Sequence, residues 1–160
     1  MGKRLGAVSV ASVAVAVVAL AVGVVSPALG SSGAAARHRT IRVTAVVTEL
    51  NLVDVSPKGP SLGDEIVFSE KLLKGGNQVG HQGAVCTTVS LQRQEAQCNA
   101  TYSFPGGQIT AQALIILGSK APYDAPITGG SGKYQGAEGE IHVRTISDTT
   151  GILTFHLEDS

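Results

Sequence analysis

Four groups of residues in this 160-residue chain are of types that do chemistry. The first is Glu49 with Asn51, which share strand parity with Val43, Ala45 and Val47. A strand there ends its apolar face in a carboxylate and an amide. Such groups are costly in a core unless hydrogen-bonded or put to use; a Glu49 just past the buried part would instead be solvated. The second is the stretch ITGGSGKYQGAEGEI, residues 127–141, with five glycines around Lys133. A P-loop needs glycine at 127 and Ser or Thr at 134, where the chain has Ile127 and Tyr134. A dinucleotide fingerprint needs glycine at 135 and a helix to follow, and the chain has Gln135 before a strand-like segment. The glycines therefore read as turn positions between strands, with Lys133 at the tip in solvent. The third group is the four histidines, His38, His81, His142 and His156, scattered over separate segments with no nucleophile or metal spacing.

The fourth is the pair Cys86 and Cys98. No histidine lies at ligand spacing from them, and zinc needs three or four ligands, so no metal site is expected. An even cysteine count behind an export signal points to a disulfide. A hairpin turning at Gln92 pairs residues whose numbers sum to 184, as 86 and 98 do. Paired residues point to one sheet face. Cys98 shares its face with Ala100, Tyr102 and Phe104, whereas the alternate set, Gln97, Asn99, Thr101 and Ser103, is polar. The bridge is expected on the core side.

The elements that must position these residues are strands. Alternating or β-rich runs are expected at 41–54, 64–73, 79–90, 96–104, 108–117, 125–128, 140–146 and 152–158, separated by Gly, Pro, Asn and Asp signals. About eight short strands and no helix after residue 40 predict an all-β sandwich or closed barrel. An eight-stranded barrel has room for its own side chains or for one small ligand.

Residues 1–30 read as a signal peptide: Lys3 and Arg4, then an uncharged Ala/Val-rich run, then small residues for cleavage near Gly30. An uncleaved membrane anchor is the alternative, since the apolar run is long. Residues 31–40 form a polar lead-in and 41–160 a single domain. Removing Lys3 and Arg4 leaves 10 basic against 12 acidic residues, a net charge of −2 with no basic patch. Nucleic acid is excluded as a partner on that ground, and no membrane contact is expected once the signal is removed.

Six stretches, TELNLVDVSP, SLGDEIVFSEKL, GAVCTTV, ATYSFPGGQITAQ, ITGGSGKYQGAEGEI and LTFHL, together resemble the allene oxide cyclase family and its dirigent relatives. They come in the family's order. The resemblance implies a closed eight-stranded antiparallel barrel, usually trimeric, with an apolar pocket and no cofactor. It implies that Glu49 is the interior catalytic carboxylate and that Asn51, Ser56 and Pro57 position substrate or water. Glu70 stands where the plant enzymes carry a water-holding asparagine, which brings a second acid toward the pocket. The cysteine that matches Cys86 is free in plants. The plant enzymes are also plastidial, whereas this chain carries an export signal. The resemblance therefore implies the barrel and a small apolar or phenolic ligand rather than the plant substrate. Cyclisation or isomerisation, dirigent-type phenolic coupling, non-catalytic binding and a side-chain-filled structural trimer are the functions it leaves open.

Overall fold

The computed structural model describes residues 37–159; the signal segment lies outside them. Eight strands follow in chain order: β1 (Arg37–Val53), β2 (Glu65–Lys74), β3 (Asn77–Ser90), β4 (Glu95–Phe104), β5 (Gly107–Ile116), β6 (Tyr123–Gly130), β7 (Glu138–Ser147) and β8 (Thr150–Asp159). Each pairs antiparallel with the next, and β8 closes on β1, so the sheet is a barrel. Closure removes the edges an open sheet would expose. The expected barrel and its strand count are as observed. Two boundaries move most: β6 spans Tyr123–Gly130 rather than 125–128, and β1 starts at Arg37, so residues 37–40 of the polar lead-in are strand, paired with residues 156–159 of β8.

Turn chemistry sets the closures. Gly75 and Gly76, both at positive φ (58° and 82°), make the two-residue link from β2 to β3. The glycine stretch is only partly a loop: Gly129 and Gly130 end β6, a 3-10 turn covers Gly132–Tyr134, and β7 resumes at Glu138. Gly132 has φ 60°, and a Cβ there would run into the carbonyl oxygen of Gly106. Lys133 is exposed as expected, yet its ammonium also lies 5.1 Å from the centre of the Tyr134 ring.

The hairpin of β3 and β4 has the expected register, with Cys86 opposite Cys98 and the two joined as a disulfide. The polar set of β4 faces outward, and Tyr102 and Phe104 are buried.

Inside the barrel, one end is packed. Phe155 has no exposed surface and meets Tyr102 edge-on at 5.0 Å and Phe104 at 5.5 Å. Phe104 in turn meets Tyr134 at 5.9 Å. Leu72, Ile109, Ile141 and Leu157, all fully buried, fill the space between. The 3-10 turn thus lays Tyr134 over this end as a cap. The residues at the other end of the strands leave the interior hollow.

Candidate functional site

The hollow is a cavity of about 260 Å³. Its room comes from small side chains: Ala45, Ala84, Ala100, Ala111, Ala113 and Ala125 all face it. Leu50, Ile66, Phe68, Ile115, Val143 and Leu153 supply larger apolar wall, and the disulfide forms part of the β3–β4 side. The mouth is at the β7–β8 turn, where residues 147–150 line it. Leu50, Leu52, Leu62, Leu91, Leu114, Ile116 and Ile146 are exposed at this end of the barrel. The floor is Tyr102, which rests on Phe155.

Three polar side chains cross the wall in one row. Glu70 on β2 pairs directly with Gln82 on β3, and Gln82 with Tyr102 on β4. Directly paired residues have Cβ atoms about 4.5–5.5 Å apart, so their side chains are neighbours. All three line the cavity, and Tyr123 of β6 reaches it as well. Gln82 is 5% exposed, and its Oε1 is buried with no hydrogen-bond partner. Burial pushes the Glu70 carboxyl up to about 7 from its ordinary 4.5. The Tyr102 hydroxyl is also raised, first by burial and then by the nearby Tyr123 and Glu70. Tyr123 is raised by burial and then by Glu70. A carboxyl that titrates near neutrality inside an apolar cavity can hold or release a proton at working pH, which suits a general acid or base.

The structure departs from the expected position of Glu49. Val47 of β1 lies opposite Glu70 of β2, but the next pair is Glu49 with Ser69, because a β-bulge inserts Thr48. One extra residue moves every later side chain to the opposite face. Ala45 and Val47 line the cavity; beyond the bulge Leu50 does so, while Glu49 and Asn51 are exposed on the outer face. The interior position expected for Glu49 is therefore corrected, and Glu70 is the carboxylate that the barrel encloses. Ser56 and Pro57 are exposed in the β1–β2 loop and do not line the cavity. That loop is organised by Asp64, which accepts hydrogen bonds from the Ser61 N–H (2.7 Å), the Ser61 hydroxyl (2.8 Å) and the Val55 N–H (3.0 Å). These bonds hold its carboxyl below the usual range, the Ser61 backbone contributing most.

Of the expected site residues, only Glu70 and the two cysteines line the cavity. Gln82, Tyr102 and Tyr123 line the cavity as well and lie outside the expected site. The signal for Gln82 was present: the same sum of 184 that pairs the cysteines pairs Gln82 with Tyr102. Tyr123 precedes the expected sixth strand, so its alternation carried no information. No cluster of three or more metal-ligating side chains occurs among the described residues. His142 bonds Asp124 at 2.6 Å on the outside of the barrel.

Residues 44–155 match the family model described as an allene oxide cyclase barrel like domain. No curated protein resembles the chain closely enough to count as a relative. Among solved structures, the chain is similar to a pyocyanin demethylase, at 27% identity and TM-score 0.67, over 74% of this chain and 99% of that one. It is also similar in fold to the Diels-Alderase AbmU from Streptomyces koyangensis (16% identity, TM-score 0.66, 81% of this chain and 71% of that one). A pterocarpan synthase dirigent protein shares the fold at 17% identity and TM-score 0.58, over 77% of this chain and 89% of that one.

Proposed function

The chain belongs to the allene oxide cyclase barrel-like family, and from that premise we propose that it is an exported barrel that takes up one small, largely apolar molecule and guides its rearrangement. The observation that carries this reading is the hollow half of the barrel, a mainly apolar cavity whose wall is crossed by the polar row Glu70, Gln82 and Tyr102. A molecule held between apolar walls with one polar edge against that row is fixed in orientation, and orientation alone lowers a barrier substantially. Glu70 supplies the proton-transferring group, the part the resemblance gave to Glu49. Gln82 and Tyr102 position the polar edge of the ligand. The neighbours whose names describe demethylation, cycloaddition and pterocarpan synthesis support a barrel that adapts one scaffold to several reactions on compact organic molecules.

Export rests on the signal-like residues 1–30 and agrees with the disulfide. We also keep the homotrimer as a proposal. Leu114 and Ile116 stand 56% and 57% exposed on the outer face of β5, where a second copy would cover them.

The test is native mass spectrometry of the secreted protein beside Ala100→Leu. Ala100 lines the cavity, so a leucine there fills space while Glu70, Gln82 and Tyr102 are all retained. The reading expects a retained small molecule in the wild-type protein and at least a tenfold loss of its occupancy in the variant. Equal occupancy in a folded Ala100→Leu protein would place the ligand elsewhere and overturn the reading. With the ligand in hand, Glu70→Gln is expected to abolish turnover and spare binding; a variant that turns over at the wild-type rate removes the catalytic part and leaves a binding barrel.

A further inference from the structure

The charges that line the hollow are of one sign. Among the described residues its ionisable groups are Glu70 and Asp148, with the phenols of Tyr102 and Tyr123, and no Lys, Arg or His lines it. Asp148 is at the rim and already paired with Lys120 at 2.8 Å. Glu70 has no such partner among the described residues. The residues packed against it are Val47 from β1 and Gln82 from β3, with Tyr102 of β4 and Tyr123 of β6 the titratable groups nearby. The Oε1 of Gln82, buried without a hydrogen-bond donor, adds negative potential beside Glu70. Phe68, Tyr102 and Tyr123 bring aromatic rings to the same space, and ring faces attract cations.

We infer that the cavity selects its occupant by charge: a planar organic cation with delocalised charge is taken, and a carboxylate of the same shape is refused. This deepens the proposed function and rests on it. A cation entering the hollow finds a carboxylate and aromatic faces, and so offsets the desolvation that disfavours the charged form of Glu70. A carboxylate inside the hollow finds no positive group among the described lining residues, since the Lys120 ammonium stays at the rim on Asp148, and burying an unpaired charge is prohibitive. Fatty-acid-like ligands are therefore outside its range unless the carboxylate stays beyond the mouth.

Three probes of one shape test this: N-methylquinolinium, quinoline and quinoline-2-carboxylate, titrated calorimetrically into the wild-type protein. The cation is expected to bind tightest at pH 8. Its affinity should fall about tenfold from pH 8 to pH 6, because a carboxyl titrating at about 7 goes from roughly nine-tenths to one-tenth ionised. Repeating the pH 6.5 titration in two buffers of different ionisation enthalpy should show net proton release by the cation and none by quinoline. Glu70→Gln should erase both the pH dependence and the preference for the cation, and the buffer comparison stands if that variant fails to fold. Tighter binding of quinoline or of the carboxylate at pH 8, or cation binding without proton release, overturns the inference and leaves the binding reading intact. Failure of all three probes to bind removes the inference together with the reading beneath it.

Discussion

The two ends of the barrel interior are built by the same strands on the same alternation, yet one end is solid and the other is empty. At the solid end the inward positions carry Phe104, Ile109, Ile141, Phe155 and Leu157, and these meet ring against ring and side chain against side chain. At the hollow end the equivalent positions on β3, β4 and β5 carry Ala84, Cys86, Cys98, Ala100, Ala111 and Ala113. The pattern of inward and outward residues sets the barrel; the volume of the inward residues sets what the barrel is for. Stability and ligand capacity are thus assigned to opposite ends, and substitutions at the two ends should have separable effects.

The largest effect is expected at the solid end. Phe155→Ala removes a fully buried ring that two other aromatics touch and should cost about 3–5 kcal/mol of stability, read by denaturant unfolding. A loss under 1 kcal/mol would mean that this end is not the stabilising half. Next comes the disulfide in the wall of the hollow. Replacing Cys86 and Cys98 together by serine opens a loop with a sequence separation of 12 and should cost about 3 kcal/mol, measured the same way.

The third effect is a pH dependence from Glu70. Its folded carboxyl titrates at about 7, above the ordinary 4.5, so the folded state holds a proton that the unfolded chain has lost. The Glu70 contribution to stability is therefore greatest below pH 4.5, falls as pH rises to about 7 and is level above that. Allowing for the solvent that the cavity admits, the drop should be about 2 kcal/mol. Glu70→Gln should flatten that limb of the stability–pH curve; an unchanged limb would assign it to another group. The smallest effect is expected from Glu49→Gln. On the outer face of β1 it should shift stability by no more than about 0.5 kcal/mol and leave ligand binding unchanged, so a large loss of binding would move the role proposed for Glu70 to that position.

How much of this was legible in the sequence differs from strand to strand for physical reasons. The β3–β4 hairpin was readable to the residue, because a period of two and one turn centre fix both register and face, and the cysteines supplied a check. The β1 strand was readable as a strand but not as a surface. Thr48 looks like any other residue in an alternating run, and only its partner strand reveals that it is the extra one. The error at Glu49 follows from that single residue. Glu70 lies in register with Ile66, Phe68 and Leu72, so its own strand placed it inward; what the sequence does not display is the empty space around it. That emptiness is a property of residues drawn from most of the strands and becomes visible only when the sheet closes. The Tyr134 cap was hidden similarly, inside a stretch whose glycines draw attention to the turn rather than to the ring it carries.

That cap also governs traffic. With Tyr134, Phe104 and Phe155 sealing one end, the interior is a blind alley, not a tunnel. A molecule that goes in must back out along the same path, and a second cannot pass it. Arrival and departure therefore exclude each other: under the proposed function, whatever is formed inside competes for the mouth with whatever is waiting outside. An excess of product should raise the apparent KM and leave the limiting rate unchanged.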